Sequence, residues 1–134
     1  MNTFDEIKRL KTLLVDDDDF IRDSLNIAFS NNDCYLRTVE TAEEGLCALK
    51  EEKFDIIISD LRLPEMDGLE FLKLATATQS EAFTVLITAY GNKDVVSEAS
   101  AVGIHAYIEK PFSVQSLIDS LAMLINKPKT ENQN

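Results

Sequence analysis

Residues 54–68, FDIIISDLRLPEMDG, constrain the fold more than any other stretch of the chain. Phe54, Ile56, Ile57 and Ile58 form an apolar, mostly β-branched run that is too continuous for a strand with one wet face. Such a run suits the centre of a parallel sheet covered by helices on both sides. Asp60 stands at its C-terminal end, and Pro64 and Gly68 break the chain before the next helical pattern begins. A carboxylate at the carboxyl end of a central strand lies where open α/β sheets bind their ligands.

From the N-terminus, the same alternation recurs. Residues 1–10 are polar with a weak helical pattern and read as a short lead. Residues 11–15, KTLLV, form a first strand that ends in Asp16, Asp17, Asp18 and Asp19. Asp18 or Asp19 suits a helix N-cap, but a cap uses one carboxylate and four in a row repel. A positive group is therefore expected nearby. A helix over 20–30 follows, with Ile21, Leu25 and Ala28 or Phe29 on one face. Residues 34–39 form a second strand. Thr41 and Glu44 make a capping-box pattern for a second helix, with Ala42, Leu46 and Leu49 inward.

After the central strand, Asp67 and Gly68 open a third helix with Leu69, Phe71, Leu72, Leu74 and Ala75 inward. Residues 82–88, AFTVLIT, are a further continuous apolar strand, running into Thr88, Ala89, Tyr90 and Gly91. A fourth helix, from 92 or 93 to 102, is thin in apolar groups, with only Val95, Val96, Ala99 and Val102. Residues 104–108 form the fifth strand, leading into Glu109, Lys110, Pro111 and Phe112. Ser113 caps a last helix with Leu117, Leu121, Leu124 and Ile125 inward. Residues 1–127 thus read as one domain, and residues 128–134 as a polar tail or the start of a linker.

Five strand–helix repeats imply a doubly wound parallel sheet, and five strands fit the order 2-1-3-4-5. In that order Asp16 and Asp17, Asp60, Thr88 and Lys110 all reach one crevice at the carboxyl ends of their strands. Carboxylates that close repel unless a cation joins them. An all-oxygen donor set without His or Cys points to Mg²⁺, Mn²⁺ or Ca²⁺ rather than zinc. Lys110 and Thr88 supply a cation and a hydroxyl for phosphoryl oxygens, and the small side chain of Ala89 leaves room for them. An Asp carboxylate can itself be a nucleophile toward phosphorus, and Asp60, alone on the central strand, is the candidate.

Composition narrows the class. A hydrophobic content of 45% with four glycines and three prolines is that of a globular domain. The net charge of −11 argues against non-specific nucleic-acid binding, because phosphate repels it, and no direct nucleic-acid partner is expected for this domain. No apolar run reaches transmembrane length and no signal-peptide core is present, so a cytoplasmic setting without a membrane partner is expected. Cys34 and Cys47 lack metal or redox spacing and are expected as reduced, buried thiols.

The segments LLVDDDD, DLRLPEMDG, TAYG and YIEKPF, in this order and at these separations, resemble the receiver domain of two-component response regulators. The resemblance covers residues 10–126. It implies a flavodoxin-like (βα)5 fold and a phosphoacceptor that catalyses only its own phosphorylation and dephosphorylation, not an enzyme turning over external substrates. Asp60 would take a phosphoryl group from the phosphohistidine of a sensor histidine kinase or histidine phosphotransfer protein, with Mg²⁺ or Mn²⁺. Asp17, Asp60 and the backbone carbonyl of Arg62 would bind the ion directly, and Asp16 through a metal-bound water. Lys110 would contact the phosphoryl group, and Thr88 and Tyr107 would move toward it as a switch pair. The face of the fourth helix, fifth strand and fifth helix would then change affinity for a partner or a second copy. The Lys110–Pro111 bond would be cis.

His105 and Ala106 stand where many winged-helix regulators carry acidic residues, which weakens dimerisation through that charged face. Arg62 and Tyr90 lie two residues beyond Asp60 and Thr88; the resemblance implies that side chains there would flank the path of attacking water, and both are expected to lengthen the phosphoryl lifetime.

Two other functions fit parts of the pattern. A haloacid-dehalogenase-like Mg²⁺ phosphatase would use Asp16 as nucleophile with Asp18 in an Asp-x-Asp pair. Phe20 then replaces a usual small hydroxyl residue, and Asp60 is left idle. A flavin-binding electron carrier of the same topology needs a hydroxyl- and glycine-rich phosphate loop after the first strand, where four acids would repel the phosphate.

Overall fold

The continuous apolar runs become the middle of a parallel sheet. In the computed structural model, which describes residues 3–89 and 91–126, β1 (Lys11–Val15), β3 (Ile56–Asp60) and β4 (Phe83–Ala89) lie side by side between β2 (Tyr35–Val39) and β5 (Ala106–Lys110). The order is β2-β1-β3-β4-β5 and every pairing is parallel, the doubly wound arrangement expected. All of β3 is buried, whereas the edge strand β2 has no fully buried residue.

Alternation along the strands divides the core in two. Leu14, Ile56, Ile58, Val85 and Ile87 face α1 (Asp19–Asn31) and α5 (Val114–Asn126), meeting Leu25, Phe29, Leu117, Ile118 and Leu121. Leu13, Val15, Ile57 and Leu86 face α2 (Ala42–Glu51), α3 (Gly68–Thr78) and α4 (Lys93–Ala101), meeting Leu49, Phe71, Leu72 and Ala99.

Side-chain caps fix where these helices start. Asp18 accepts from the N–H groups of Phe20 and Ile21 at α1. Thr41 and Glu44 form a reciprocal capping box at α2, and Asp67 accepts from Glu70 N–H at 2.8 Å at α3. Ser113 Oγ accepts from Ser116 N–H at 3.0 Å at α5. α4 has no side-chain cap bond and buries only Ala99, so it is as thinly anchored as its composition implies.

Several expectations are corrected. Leu74, expected inward, is 40% exposed on the outer side of α3, and the fourth helix ends at Ala101, with Val102 as its C-cap. The second strand starts at Tyr35, one residue later than expected. β5 runs Ala106–Lys110 rather than 104–108, because Glu109 and Lys110 pair in register with Thr88 and Ala89 of β4. Cys34 is buried but Cys47 is exposed on α2, and both are free thiols. The lead is more than polar: Thr3–Glu6 forms a short 3-10 helix, and Phe4 and Ile7 are buried in the α1/α5 core. Phe4 meets Phe29 edge-on at 5.7 Å, and Gln115 Nε2 donates to Thr3 Oγ1 at 2.8 Å. The tail at 128–134 lies outside the described residues.

At the amino end of β1, away from the acidic crevice, Glu52 accepts from Lys11 Nζ at 2.7 Å, Arg37 Nη1 at 2.8 Å and Tyr35 OH at 2.9 Å. The Lys11 hydrogen bond, helped by Arg37 and Tyr35 against partial burial, holds the Glu52 carboxyl down at about 2. Among the described residues, no helix is long and apolar enough to cross a membrane.

Candidate functional site

The carboxyl ends of β1, β3, β4 and β5 deliver the expected groups, two of them after β1. Asp16 continues β1, and its N–H donates to Val39 O at 3.1 Å. Asp18 N–H donates back to Asp16 Oδ1 at 2.9 Å. Asp16 is fully buried, while Asp17 is exposed at the rim. Asp60, the last residue of β3, is buried at 5% exposure. One carboxylate oxygen from each of Asp16, Asp17 and Asp60 lies within 4.8 Å of the others. Lys110 Nζ reaches across from β5 and donates to Asp60 Oδ2 at 3.0 Å.

The loop after β3 is tied down by its backbone. Leu61 N–H donates to Ile87 O at 2.8 Å, and Gly68 N–H donates to Leu61 O at 2.6 Å. Ser59 Oγ donates to Asp60 O at 2.9 Å. These bonds fix Asp60 at the mouth of the crevice and leave its carboxylate facing Lys110 and the acids of β1.

A family model described as the response regulator receiver domain matches residues 12–122. The chain belongs to this family. The receiver is 36% identical over 112 residues to the response regulator protein FleR of Pseudomonas aeruginosa, covering 84% of this chain and 24% of FleR. It therefore spans about a quarter of that relative's length. It is also 36% identical over 115 residues to the chemotaxis protein CheY of Listeria monocytogenes, covering 84% of this chain and 95% of CheY. A CheY-like receiver structure from Methanospirillum hungatei superposes with a TM-score of 0.81 at 28% identity, covering 93% of this chain and 99% of that one.

Two atoms in the receiver's crevice lack partners. Asp16 Oδ2 and Thr88 Oγ1 are buried without a hydrogen bond. A buried polar atom left unpaired costs free energy, so it requires an explanation. A cation or its bound water at Asp16, and a hydrogen-bond acceptor at Thr88, would each supply what is missing. The acidic cluster of Asp16, Asp17 and Asp60, with Asp17 open to water, is compatible with a Mg²⁺ site. Burial pushes the Asp16 carboxyl up to about 6; the Asp18 amide opposes this, the Asp60 charge adds to it, and Lys110 opposes it again. Burial also draws the Lys110 ammonium down, but its hydrogen bond to Asp60 and the charges of Asp60 and Asp16 outweigh this and hold it above its ordinary value.

The remaining expected residues fall in different places. Ala89 is exposed beside Lys110 in the β4–β5 pairing, and Arg62 is exposed at the rim. The Lys110–Pro111 bond is cis. Tyr107 sits on β5 opposite Leu86 of β4, with 47% of its surface exposed. Tyr90 lies outside the described residues. His105 is exposed, and its Nδ1 accepts from Thr84 N–H at 3.0 Å. Asp18 Oδ1 is engaged by the first amides of α1, which removes it from an Asp-x-Asp pair with Asp16.

Two site contacts were not anticipated. Glu109 Oε2 accepts from Gly91 N–H at 2.8 Å, linking β5 to the loop that follows Ala89. Arg22 of α1 reaches back under the acidic loop. The only signal for Arg22 in the sequence is its place three residues after Asp19, where helix neighbours meet.

Proposed function

We propose that this receiver is a Mg²⁺-dependent phosphoacceptor switch, with Asp60 as the modified residue. The observation that carries the reading is that one buried carboxylate, Asp60, lies between the acidic pair that follows β1 and the ammonium of Lys110. Asp17, Asp60 and the Arg62 carbonyl would hold Mg²⁺ directly, and Asp16 through water. When bound, the ion would supply Lewis-acid neutralisation of phosphoryl oxygens.

An Asp60 oxygen attacks the phosphorus of a phosphohistidine on a sensor kinase or phosphotransfer protein. The P–N bond breaks, its electron pair leaves with the imidazole, and an acyl phosphate forms on Asp60. Lys110, already on Asp60 Oδ2, moves its hydrogen bond to a phosphoryl oxygen. Thr88, whose hydroxyl has no partner, donates to another, and Ala89 leaves space for it. Thr88 then vacates the volume into which exposed Tyr107 turns. Because α4 is thinly packed and uncapped, a few kcal/mol of differential contact is enough to shift the α4–β5–α5 face between two states. A kinase, a downstream target or a second copy reads that face. The exposed, unpaired Cys47 thiol suits a reducing cytoplasm.

Acetyl phosphate with Mg²⁺ tests the reading. Borohydride trapping followed by peptide sequencing is expected to find homoserine at position 60. Homoserine at position 16 instead would favour the first-strand phosphatase chemistry.

Arg62 and Tyr90 are assigned a shielding role over the attacking-water path. Arg62→Ala and Tyr90→Ala are each expected to shorten the acyl-phosphate half-life severalfold. An unchanged decay rate in both would remove them from that role.

A further inference from the structure

Four consecutive carboxylates require a counter-charge, and the fold supplies one from the helix that follows them. The Arg22 side chain is only 11% exposed. Its Nη1 donates to the main-chain oxygen of Asp16 at 2.8 Å. Its Nη2 donates to Glu40 Oε1 at 3.0 Å and to the Asp19 carboxylate. One planar guanidinium thus joins the end of β1, the first turn of α1 and the residue after β2, a geometry that an ammonium cannot reproduce.

The consequence falls on Asp16. Its N–H is held by Val39 O and its carbonyl by Arg22. Asp18 N–H holds its Oδ1. The single atom of Asp16 left without a partner is Oδ2, buried in the crevice. Every other polar atom of this residue is used to aim that one.

We infer that Arg22 is a positioning residue for the divalent cation: by holding the Asp16 carbonyl, which belongs to the peptide unit joining Asp16 to Asp17, it fixes a loop geometry that selects Mg²⁺. The inference rests on reading the crevice as a Mg²⁺ site. Mg²⁺ demands near-octahedral ligands at about 2.0–2.1 Å, whereas Ca²⁺ accepts looser geometry at about 2.3–2.6 Å. A loop that loses its clamp therefore loses Mg²⁺ affinity before Ca²⁺ affinity. Charge alone has the opposite sign: removing a cation beside three carboxylates strengthens binding of either ion.

Calorimetric titration of the full chain with Mg²⁺ and with Ca²⁺ separates these effects, using Arg22→Lys, Arg22→Met and the control Arg37→Lys. Arg37 pairs with Glu51 and Glu52 at the far end of the sheet. Arg22→Lys is expected to raise the Kd for Mg²⁺ about tenfold, as loss of an orienting contact behind a metal ligand does. The Ca²⁺ value should move much less, and Arg37→Lys should change neither. A lowered Tm with wild-type Kd values for both ions would make Arg22 merely structural and overturn the inference. Tighter binding of both ions by Arg22→Met would assign its effect to charge and also overturn it. If the wild-type chain took up neither ion, the Mg²⁺ reading itself would fail, and the inference with it.

Discussion

Replacing Asp16 with Asn is expected to stabilise the metal-free protein by about 2 kcal/mol at pH 7, with a gain that disappears near pH 4. The Asp16 carboxyl titrates at about 6 in the fold, against 3.8 ordinarily, chiefly because it is buried. Its folded form therefore holds a proton more tightly than its unfolded form. Stability tied to that proton is fully present below the unfolded value and is lost as pH rises through about 6. At about 1.4 kcal/mol per pH unit, the full loss approaches about 3 kcal/mol. Asn carries no charge, so it escapes this loss, and its carbonyl oxygen can still accept from Asp18 N–H. Mg²⁺ should narrow the difference: at about ten times its Kd it adds about 1.4 kcal/mol to the wild type, and less to the variant, which has lost a carboxylate. Urea unfolding in EDTA at pH 4.5 and pH 7.5 measures the effect. An Asn variant less stable than wild type at pH 7.5 without metal would contradict the account of Asp16.

Gly68→Ala is expected to be at least as disruptive in the other direction. A Cβ at position 68 would stand 1.9 Å from Asp60 O, 2.7 Å from Asp60 C and 2.8 Å from Ser59 Oγ. The first two are main-chain atoms of a strand buried along its length, so they cannot rotate aside as a flexible side chain would. Gly68 N–H also donates to Leu61 O at 2.6 Å, which keeps the helix start pressed against the strand end. Inserting a methyl group into a packed core costs about 1–3 kcal/mol, and backbone against backbone belongs at or above the top of that range. Folded Gly68→Ala should show a lower urea midpoint and a displaced Asp60 with weakened divalent-ion binding. Wild-type stability together with wild-type Mg²⁺ affinity would show that the approach is looser than described.

Much of this architecture was legible because particular residues leave little choice. Ile56, Ile57 and Ile58 can be satisfied only between two helical layers, and the strand order then follows from alternation with amphipathic helices. The convergence of Asp16, Asp17, Asp60, Thr88 and Lys110 follows in turn, since all lie at carboxyl ends of parallel strands. What escaped the sequence was of another kind. Phe4 and Ile7 are too few to give a period, yet the gap beneath α1 and α5 takes both. The end of β5 was misplaced because Glu109 and Lys110 read as loop residues, while their pairing with Thr88 and Ala89 is set by the neighbouring strand. Leu74 is apolar but sits on an outward face, where helical spacing alone does not tell a shoulder from a core position. Arg22 was anticipated only as an unnamed positive group. Its role depends on a side chain crossing from α1 to Asp16 O and Glu40, which no local pattern encodes. The outward position of Tyr107 likewise depends on packing at the sheet edge rather than on its residue type.

The central claim, that Asp60 is a Mg²⁺-dependent phosphoacceptor, is tested most directly by intact mass after incubation with acetyl phosphate. Wild type with Mg²⁺, wild type with EDTA, and Asp60→Asn with Mg²⁺ are compared under the same conditions, with a purified sensor kinase as a second donor. The account predicts one added phosphoryl group on the wild type with Mg²⁺ and none in the other two samples. Equal modification of Asp60→Asn, or no modification of the wild type by either donor while Mg²⁺ is bound, would contradict it.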